Sequence, residues 1–131
     1  MGLSRQEKQE FVRRHHHGVL VTRRADGRLQ TSPIVCGLHD DGRVAISVTE
    51  DRAKTKNLRR DSRATLCVLT DKFFGEWVQI DGAAEILPTA DAVEGLVALY
   101  RQISGEHPDW DDYRAAMVRD RRVLVLISID E

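Results

Sequence analysis

The chain has 131 residues, of which 41% are hydrophobic and 31% charged, and its formal net charge at pH 7 is -1. This length and composition predict one folded domain over residues 1–131 and argue against a disordered chain. The near-neutral balance argues against a nucleic-acid partner, and without an apolar signal or membrane-spanning segment we expect a cytoplasmic protein that binds no membrane.

The first third of the sequence predicts a helix and then three antiparallel strands. Alternating apolar residues mark the strands, and two Asp-Gly pairs mark the hairpin turns between them. The predicted elements are a helix capped by Ser4 and Glu7, strands Val19–Thr22 and Leu29–Leu38, a third strand ending at Val48, and turns at 25–27 and 39–42. Pro33 inside the second strand predicts an edge, a bulge or an interrupted ladder.

A strongly basic segment follows the third strand. Six cations lie between positions 52 and 63 of a chain that is nearly neutral overall. They are Arg52, Lys54, Lys56, Arg59, Arg60 and Arg63. A helix over 52–60, with capping oxygens from Thr49, Glu50 and Asp51, would place N–H groups and guanidinium donors where a phosphate can bind. A solvated helix face is the alternative, and the basic run alone leaves both open.

The rest of the sequence predicts three more strands and two helices. The predicted elements are a strand at 64–69 buried on both faces, a strand at 76–87 broken at Gly82, helices capped by Thr89 and Asp109, and a final strand Arg122–Ile129. Cys36 and Cys67 lie in apolar runs and are expected to be buried free thiols. Six or so strands that turn in sequence predict a barrel or sandwich in one α+β domain.

The sequence contains no motif of a hydrolase, a P-loop or a dinucleotide-binding fold, so no catalytic side chain is predicted. His15, His16 and His17 have no Cys, Asp or Glu at ligand spacing, and no metal site is predicted there. An enzyme with so few catalytic candidates is best served by a bound cofactor that carries the reaction. That expectation favours the phosphate interpretation of the basic segment.

Four motifs together span nearly the whole chain. They are G-V-L-V-T with A-D-G-R-L-Q-T-S-P-I, D-R-A-K-T-K-N-L-R-R-D-S-R, W-V-Q-I-D-G-A-A-E-I, and the helical stretch containing E-H-P-D-W-D-D-Y-R. With them the sequence resembles the split β-barrel flavin and deazaflavin oxidoreductases, the superfamily of pyridoxamine 5'-phosphate oxidase. The second and fourth motifs are similar to those of its F420-dependent branch in mycobacteria and actinobacteria. The resemblance implies an α+β fold, a split β-barrel of mostly antiparallel strands with flanking helices.

The resemblance also implies a cofactor site between two identical subunits. The implied cofactor is coenzyme F420, with FMN as the alternative. Its phosphate would be bound by Arg52, Lys54 and Thr55, with Ser47 lining the same pocket. The other implied contacts are Gln30, Ser32, Pro33 and Ile34 along the ring, Arg59 and Arg60 toward the oligoglutamate tail, and Trp77 of the partner subunit over the ring.

The activity implied is hydride transfer between reduced F420 and a small electron-poor substrate, such as an enone or quinone. Two alternatives stay open at this point. One is an FMN-dependent oxidase of the pyridoxamine 5'-phosphate type, and the other is a non-catalytic protein that binds or carries F420. Members of the superfamily usually continue past the last strand, whereas this sequence ends at Glu131.

Overall fold

Six strands close into one antiparallel barrel in the computed structural model, which describes residues 2–131. The elements are α1 Arg5–Arg14, β1 His17–Arg23, β2 Leu29–Leu38, β3 Val44–Thr49, α2 Ala53–Arg60, β4 Arg63–Leu69, β5 Trp77–Leu87, α3 Thr89–Ser104, α4 Trp110–Arg119 and β6 Arg122–Ile127. The order around the barrel is β1-β2-β3-β6-β5-β4. Because β4 lies beside β1 and not beside β3, the connection is a Greek key. The predicted α+β split barrel with flanking helices is confirmed.

Local sequence chemistry explains where the first elements begin and turn. The Ser4 hydroxyl accepts a hydrogen bond from the Glu7 N–H at 3.1 Å, and the Glu7 carboxylate accepts one from the Ser4 N–H at 3.0 Å, so the predicted capping box is present. Gly27 and Gly42 have φ angles of +88° and +90° in the two predicted hairpin turns. Those angles favour glycine, because a Cβ would be crowded there.

The last strand, β6, is buried on both faces. Val123, Val125 and Ile127 face the barrel interior, and Leu124 and Leu126 pack against α3. This position explains its continuous apolar sequence. The same burial was predicted for β4 and is wrong for the single chain, because β4 alternates and one of its faces is half exposed.

Cys67 lies on that half-exposed face of β4, so its predicted burial is also wrong, whereas Cys36 is buried as predicted. The outer face of β2, β1, β4 and β5 carries apolar side chains that are exposed or half exposed in the single chain. The apolar residues on it are Val19, Val21, Leu29, Val35, Cys67, Leu69 and Trp77. The sequence pattern of β4 therefore indicates more burial than one chain provides.

The predicted break of β5 at Gly82 is wrong. The strand continues from Trp77 to Leu87 and changes partner near its middle, pairing with β4 as far as Ala83 and with β6 from Ala84 onward. A Cβ at Gly82 would lie 1.8 Å from the carbonyl oxygen of Ser128. The glycine is needed because the backbone after β6 crosses directly over it.

The barrel opens on one side, where β2 separates from β3. The two strands pair only between Cys36–Leu38 and Val44–Ile46. In an antiparallel strand, the backbone hydrogen-bonding groups of successive residues point alternately to the two sides of the strand. The N–H of Cys36 donates to the carbonyl of His16, just before β1, so the backbone of Pro33 points to the other, open side. Pro33 therefore occupies an edge position, and the predicted bulge is wrong because pairing with β1 continues through it.

Two of the predicted helix caps differ in the structure. Arg52 is the N-cap of α2 and makes no side-chain capping bond, while the Thr49 hydroxyl donates to the Asp51 carboxylate at 2.9 Å. Thr89 is the first residue of α3, and its hydroxyl donates to the Arg122 carbonyl at 2.7 Å. The cap at Asp109 is confirmed, since its side chain accepts from the Asp112 N–H. No helix within residues 2–131 has the length and apolar character that crossing a bilayer requires.

Candidate functional site

A cavity of about 400 Å³ lies at the opening between β2 and β3. Ile34 and Ser47 border it from the two separating strands, and α3 and α4 form the opposite wall. That wall is apolar and aromatic, with Leu96, Leu99, Tyr100, Ile103, Tyr113 and Met117. The Tyr113 hydroxyl donates to the Leu96 carbonyl at 3.2 Å, which orients its ring, and burial raises its pKa. The cavity therefore presents a broad surface for a flat apolar group.

The other end of the cavity is cationic. Lys54 of α2 and Arg122 of β6 line it, and Arg52 lies next to them. Burial first, and then the guanidinium groups of Arg52 and Arg122, lower the pKa of Lys54 below its usual value. Among the ion pairs of residues 2–131, none involves these three side chains. Three neighbouring cations that form no ion pair within the described residues favour binding of an anion.

Arg122 was not predicted as a site residue. It reaches the cavity because β6 pairs with β3, which places Arg122 opposite Thr49 immediately before the basic segment. The residues that separate them in sequence include two strands and three helices. No local pattern indicates this pairing, so single-sequence reasoning had no signal for it.

Three other predicted phosphate or tail residues lie outside the cavity. The Thr55 hydroxyl is buried and donates to the Thr49 carbonyl at 2.8 Å. Arg59 forms an ion pair with Glu50 at 2.7 Å. Arg60 donates to the side-chain oxygen of Asn57 at 2.8 Å and to the Arg23 carbonyl at 3.2 Å. The structure therefore uses all three to hold α2 and its neighbours in place.

The predicted ring contacts follow β2 away from the cavity. Gln30 and Ser32 are on the same face of the strand as Ile34, and the four residue steps from Gln30 to Ile34 span about 13 Å. The Gln30 side-chain oxygen accepts a hydrogen bond from Asn57 at 2.9 Å. Pro33 points to the opposite, outer face and is exposed.

Trp77 does not contact the cavity of its own chain. It is 58% exposed at the β5 end of a row of outward residues that crosses β2, β1, β4 and β5. That row is Val35, His17, Leu69 and Trp77. Val35, at the opposite end of the row, also borders the cavity.

Comparison with known proteins identifies the family. The model of the family described as pyridoxamine 5'-phosphate oxidase matches residues 4–131. The fold is similar to that of the protein Rv2991 from Mycobacterium tuberculosis, with a TM-score of 0.77 and 23% identity over 98% of this chain and 82% of that one.

Two further solved structures share the fold. One is described as an F420 reductase, with a TM-score of 0.72 and 18% identity over 94% of this chain and 93% of that one. The other is a heme-binding protein from Mycobacterium smegmatis, with a TM-score of 0.69 and 16% identity over 99% of this chain and 53% of that one. Identities this low establish a common fold and not a common ligand. The match of the family model to almost the whole chain, together with the closed six-stranded barrel, shows that the chain belongs to the oxidoreductase family of pyridoxamine 5'-phosphate oxidase.

Proposed function

We propose that the protein is an F420-dependent oxidoreductase that acts on small electron-poor molecules of the enone or quinone type. The observation that carries this function is the convergence of Arg52, Lys54 and Arg122, without ion-pair partners in the described chain, at one end of an apolar cavity. Such a cavity suits a molecule with a phosphate at one end and a flat ring at the other. The F420-type motifs of the sequence and a structural neighbour described as an F420 reductase support the choice of cofactor.

The residues present fit the two parts of that cofactor. Lys54, Arg52 and Arg122 would bind the phosphate, since charge-assisted hydrogen bonds are the strongest available to it. The apolar wall of α3 and α4 would exclude water from the ring and hold the substrate against it. When bound, the reduced deazaflavin supplies the hydride. The protein contributes orientation and electrostatics.

We further propose that a second copy of the chain completes the site. The uncovered outer face of β2, β1, β4 and β5 includes Leu29, Val35 and Trp77, which are 54%, 47% and 58% exposed. Large exposed apolar faces mark interaction surfaces. If two copies pack through this face about a two-fold axis that runs parallel to the strands, the β5 end of one copy lies over the β2 end of the other. The partner's Trp77 would then lie against Val35 at the mouth of the cavity.

Titration of the purified protein with F420, FMN and FAD, followed by ring fluorescence, tests the cofactor. F420 is expected to bind most tightly. A yellow protein that retains FMN would instead support an FMN-dependent oxidase of the pyridoxamine 5'-phosphate type. Tight F420 binding with no turnover over a panel of enones, quinones and other acceptors would support a carrier and contradict the enzyme.

A further inference from the structure

A second basic cavity lies at the other end of α2. Its volume is about 530 Å³, and it shares no lining residue with the cavity between β2 and β3. Four guanidinium groups line this basic cavity, from the end of β1, the end of α2 and the start of β4: Arg23, Arg24, Arg60 and Arg63. Lys54 of the first cavity and Arg60 are six residues apart in the helix, or about 9 Å along its axis. The two cavities are therefore separate.

The positive charge of the basic cavity is only partly compensated. Asp61 also lines it, and the Arg63 guanidinium donates to its two carboxylate oxygens at 3.1 and 2.7 Å. Hydrogen bonds from Arg63 first, and then the nearby charge of Arg23, lower the pKa of Asp61 to about 2. In the described part of the chain, Arg23, Arg24 and Arg60 form no ion pair. Four guanidinium groups and one carboxylate leave positive charge in excess.

Arg60 is held in place before any ligand binds. Its Nη2 group donates to the Asn57 side-chain oxygen at 2.8 Å and to the Arg23 carbonyl at 3.2 Å. Asn57 is only 6% exposed, and its nitrogen is bound in turn by Thr22 and Gln30. The Nε and Nη1 groups of Arg60 are left to donate to a ligand. Because this guanidinium is already ordered in the free protein, little further ordering opposes binding.

Neither the helix dipole nor a nucleic acid accounts for the whole cluster. Basic residues at a helix C-terminus offset the dipole, which explains Arg60 in the last turn of α2. Arg23 and Arg24 come from β1 and the turn after it, and their charges add repulsion at this place. A long polyanion is disfavoured by the net charge of -1 on the chain. The cluster is best matched by a small ligand that carries several negative charges.

We propose that the basic cavity binds an oligophosphate, a short chain of phosphate groups, as a ligand separate from the cofactor. The oxygens of a phosphate match the fork of a guanidinium, and such bonds are charge-assisted. An extended oligoglutamate fits less well, because successive side chains point to opposite sides and one cavity would contact about half of them. The lining residues include no aromatic side chain, so the phosphates alone would be recognised. The inference does not depend on the proposed function.

The basic cavity lies at the margin of the proposed dimer contact. Arg23 pairs with Leu29 and Arg63 pairs with Ala83, at the end of the outer face that is farthest from Trp77. A two-fold axis parallel to the strands keeps equivalent residues at the same height, so a second copy would bring its own arginines to this end. The dimer would therefore add positive charge near the cavity and increase the need for an anion.

Calorimetric titration of the full chain with inorganic tripolyphosphate tests the site. Arg24→Gln and Arg60→Gln are each expected to weaken binding about 10-fold, because each removes a charge-assisted contact. Arg28→Gln is the matched control on the same hairpin, since Arg28 lies 3.7 Å from Asp26 and outside the cavity. It should change the affinity by less than about 2-fold. Wild-type affinity in Arg24→Gln and Arg60→Gln would overturn the proposal, and so would equal weakening by all three substitutions.

Two other anions test the class of ligand. Orthophosphate can satisfy only part of the cluster, and tetraglutamate directs about half of its carboxylates away from it. Both are expected to bind at least about 10-fold more weakly than tripolyphosphate. Equal or tighter binding of orthophosphate would assign the cavity to a single phosphate and overturn the proposal. Equal or tighter binding of tetraglutamate would assign it to an oligocarboxylate and overturn it as well.

The Lys54→Ala variant distinguishes the two anion sites. Its affinity for tripolyphosphate is expected to stay within about 2-fold of the wild type, because Lys54 lines the other cavity. Loss of tripolyphosphate binding in this variant would place the ion beside Lys54 and overturn the proposal. Neither result bears on the proposed function, which is tested with F420 and FMN.

A spectroscopic measurement on the wild-type chain covers the case in which Arg60→Gln does not fold. The backbone amide resonances of Gly27 and Ser62, which line the basic cavity, are expected to shift on addition of tripolyphosphate. Those of Ser47, which lines the other cavity, should change little. Unchanged Gly27 and Ser62 resonances in a protein that binds tripolyphosphate would overturn the proposal.

Discussion

At the scale of single residues, Lys54 is the side chain on which anion binding most depends. It is half buried at the cationic end of the cavity, where its charge is repelled by Arg52 and Arg122. Since charge-assisted hydrogen bonds contribute about 1.5–3 kcal/mol, Lys54→Ala is expected to weaken F420 binding roughly tenfold or more. Lys56→Ala, at an exposed position of the same helix, is the matched control and should leave the dissociation constant unchanged. An unchanged constant for Lys54→Ala would remove Lys54 from the site.

The same residue predicts how binding depends on pH. In the free protein the pKa of Lys54 is lowered from 10.5 by burial and by the neighbouring guanidinium groups, and a bound anion would raise it again. Affinity should therefore be constant at low pH and fall as pH rises through the lowered pKa of the free protein. This dependence of affinity on pH should disappear in Lys54→Ala, because that variant lacks the ammonium group whose pKa is lowered. Titrations from about pH 7 to about pH 10.5 measure it.

At the scale of elements, sequence reasoning succeeded where the relevant chemistry is local. The bounds of β2 and the two hairpins were predicted because Asp-Gly turns and alternating strands specify them directly. The position of Arg122 was not predicted, because the pairing of β3 with β6 joins strands that are far apart in the sequence. Gly82 was misread for the same reason, because the segment that approaches it follows β6. The basic helix was found by its charge density, while its partner across the cavity was missed.

Gly82 provides a test of that crossing between β5 and the segment after β6. Gly82→Ala would place a Cβ 1.8 Å from a backbone oxygen of Ser128, which cannot move without disturbing β6. We expect the free energy of unfolding to fall by about 1–3 kcal/mol, the range for overpacked sites. Gly2→Ala, where no atom lies within 4 Å of the added methyl group, is the control. Urea unfolding of both variants measures this loss of stability. An unaltered midpoint of unfolding for Gly82→Ala would contradict the crossing of the two segments.

At the scale of the whole molecule, the outer face of the barrel connects the fold to the proposed dimer. Its apolar residues explain why β4 looks doubly buried in the sequence and is not so in one chain. Val19 and Cys67 are paired neighbours at the centre of this face. Burial raises the pKa of Cys36 to about 12, so only Cys67 should react with a thiol reagent in the folded protein. Cys67 is thus a probe of whether the face is covered.

A charge at the centre of the face should separate the two copies and weaken the cofactor site together. Val19→Arg is expected to give a monomer in sedimentation, to make alkylation of Cys67 rapid at all protein concentrations, and to weaken F420 binding, although Val19 does not line the cavity. In the wild-type protein the alkylation rate should decrease as concentration rises, because association covers the thiol. Gln6→Arg adds the same charge to an exposed position of α1 and should change none of these properties. The proposal is contradicted if the wild-type protein is a monomer and Val19→Arg binds F420 with the same affinity as the wild type. One barrel would then be sufficient for binding, and Trp77 would serve no second site.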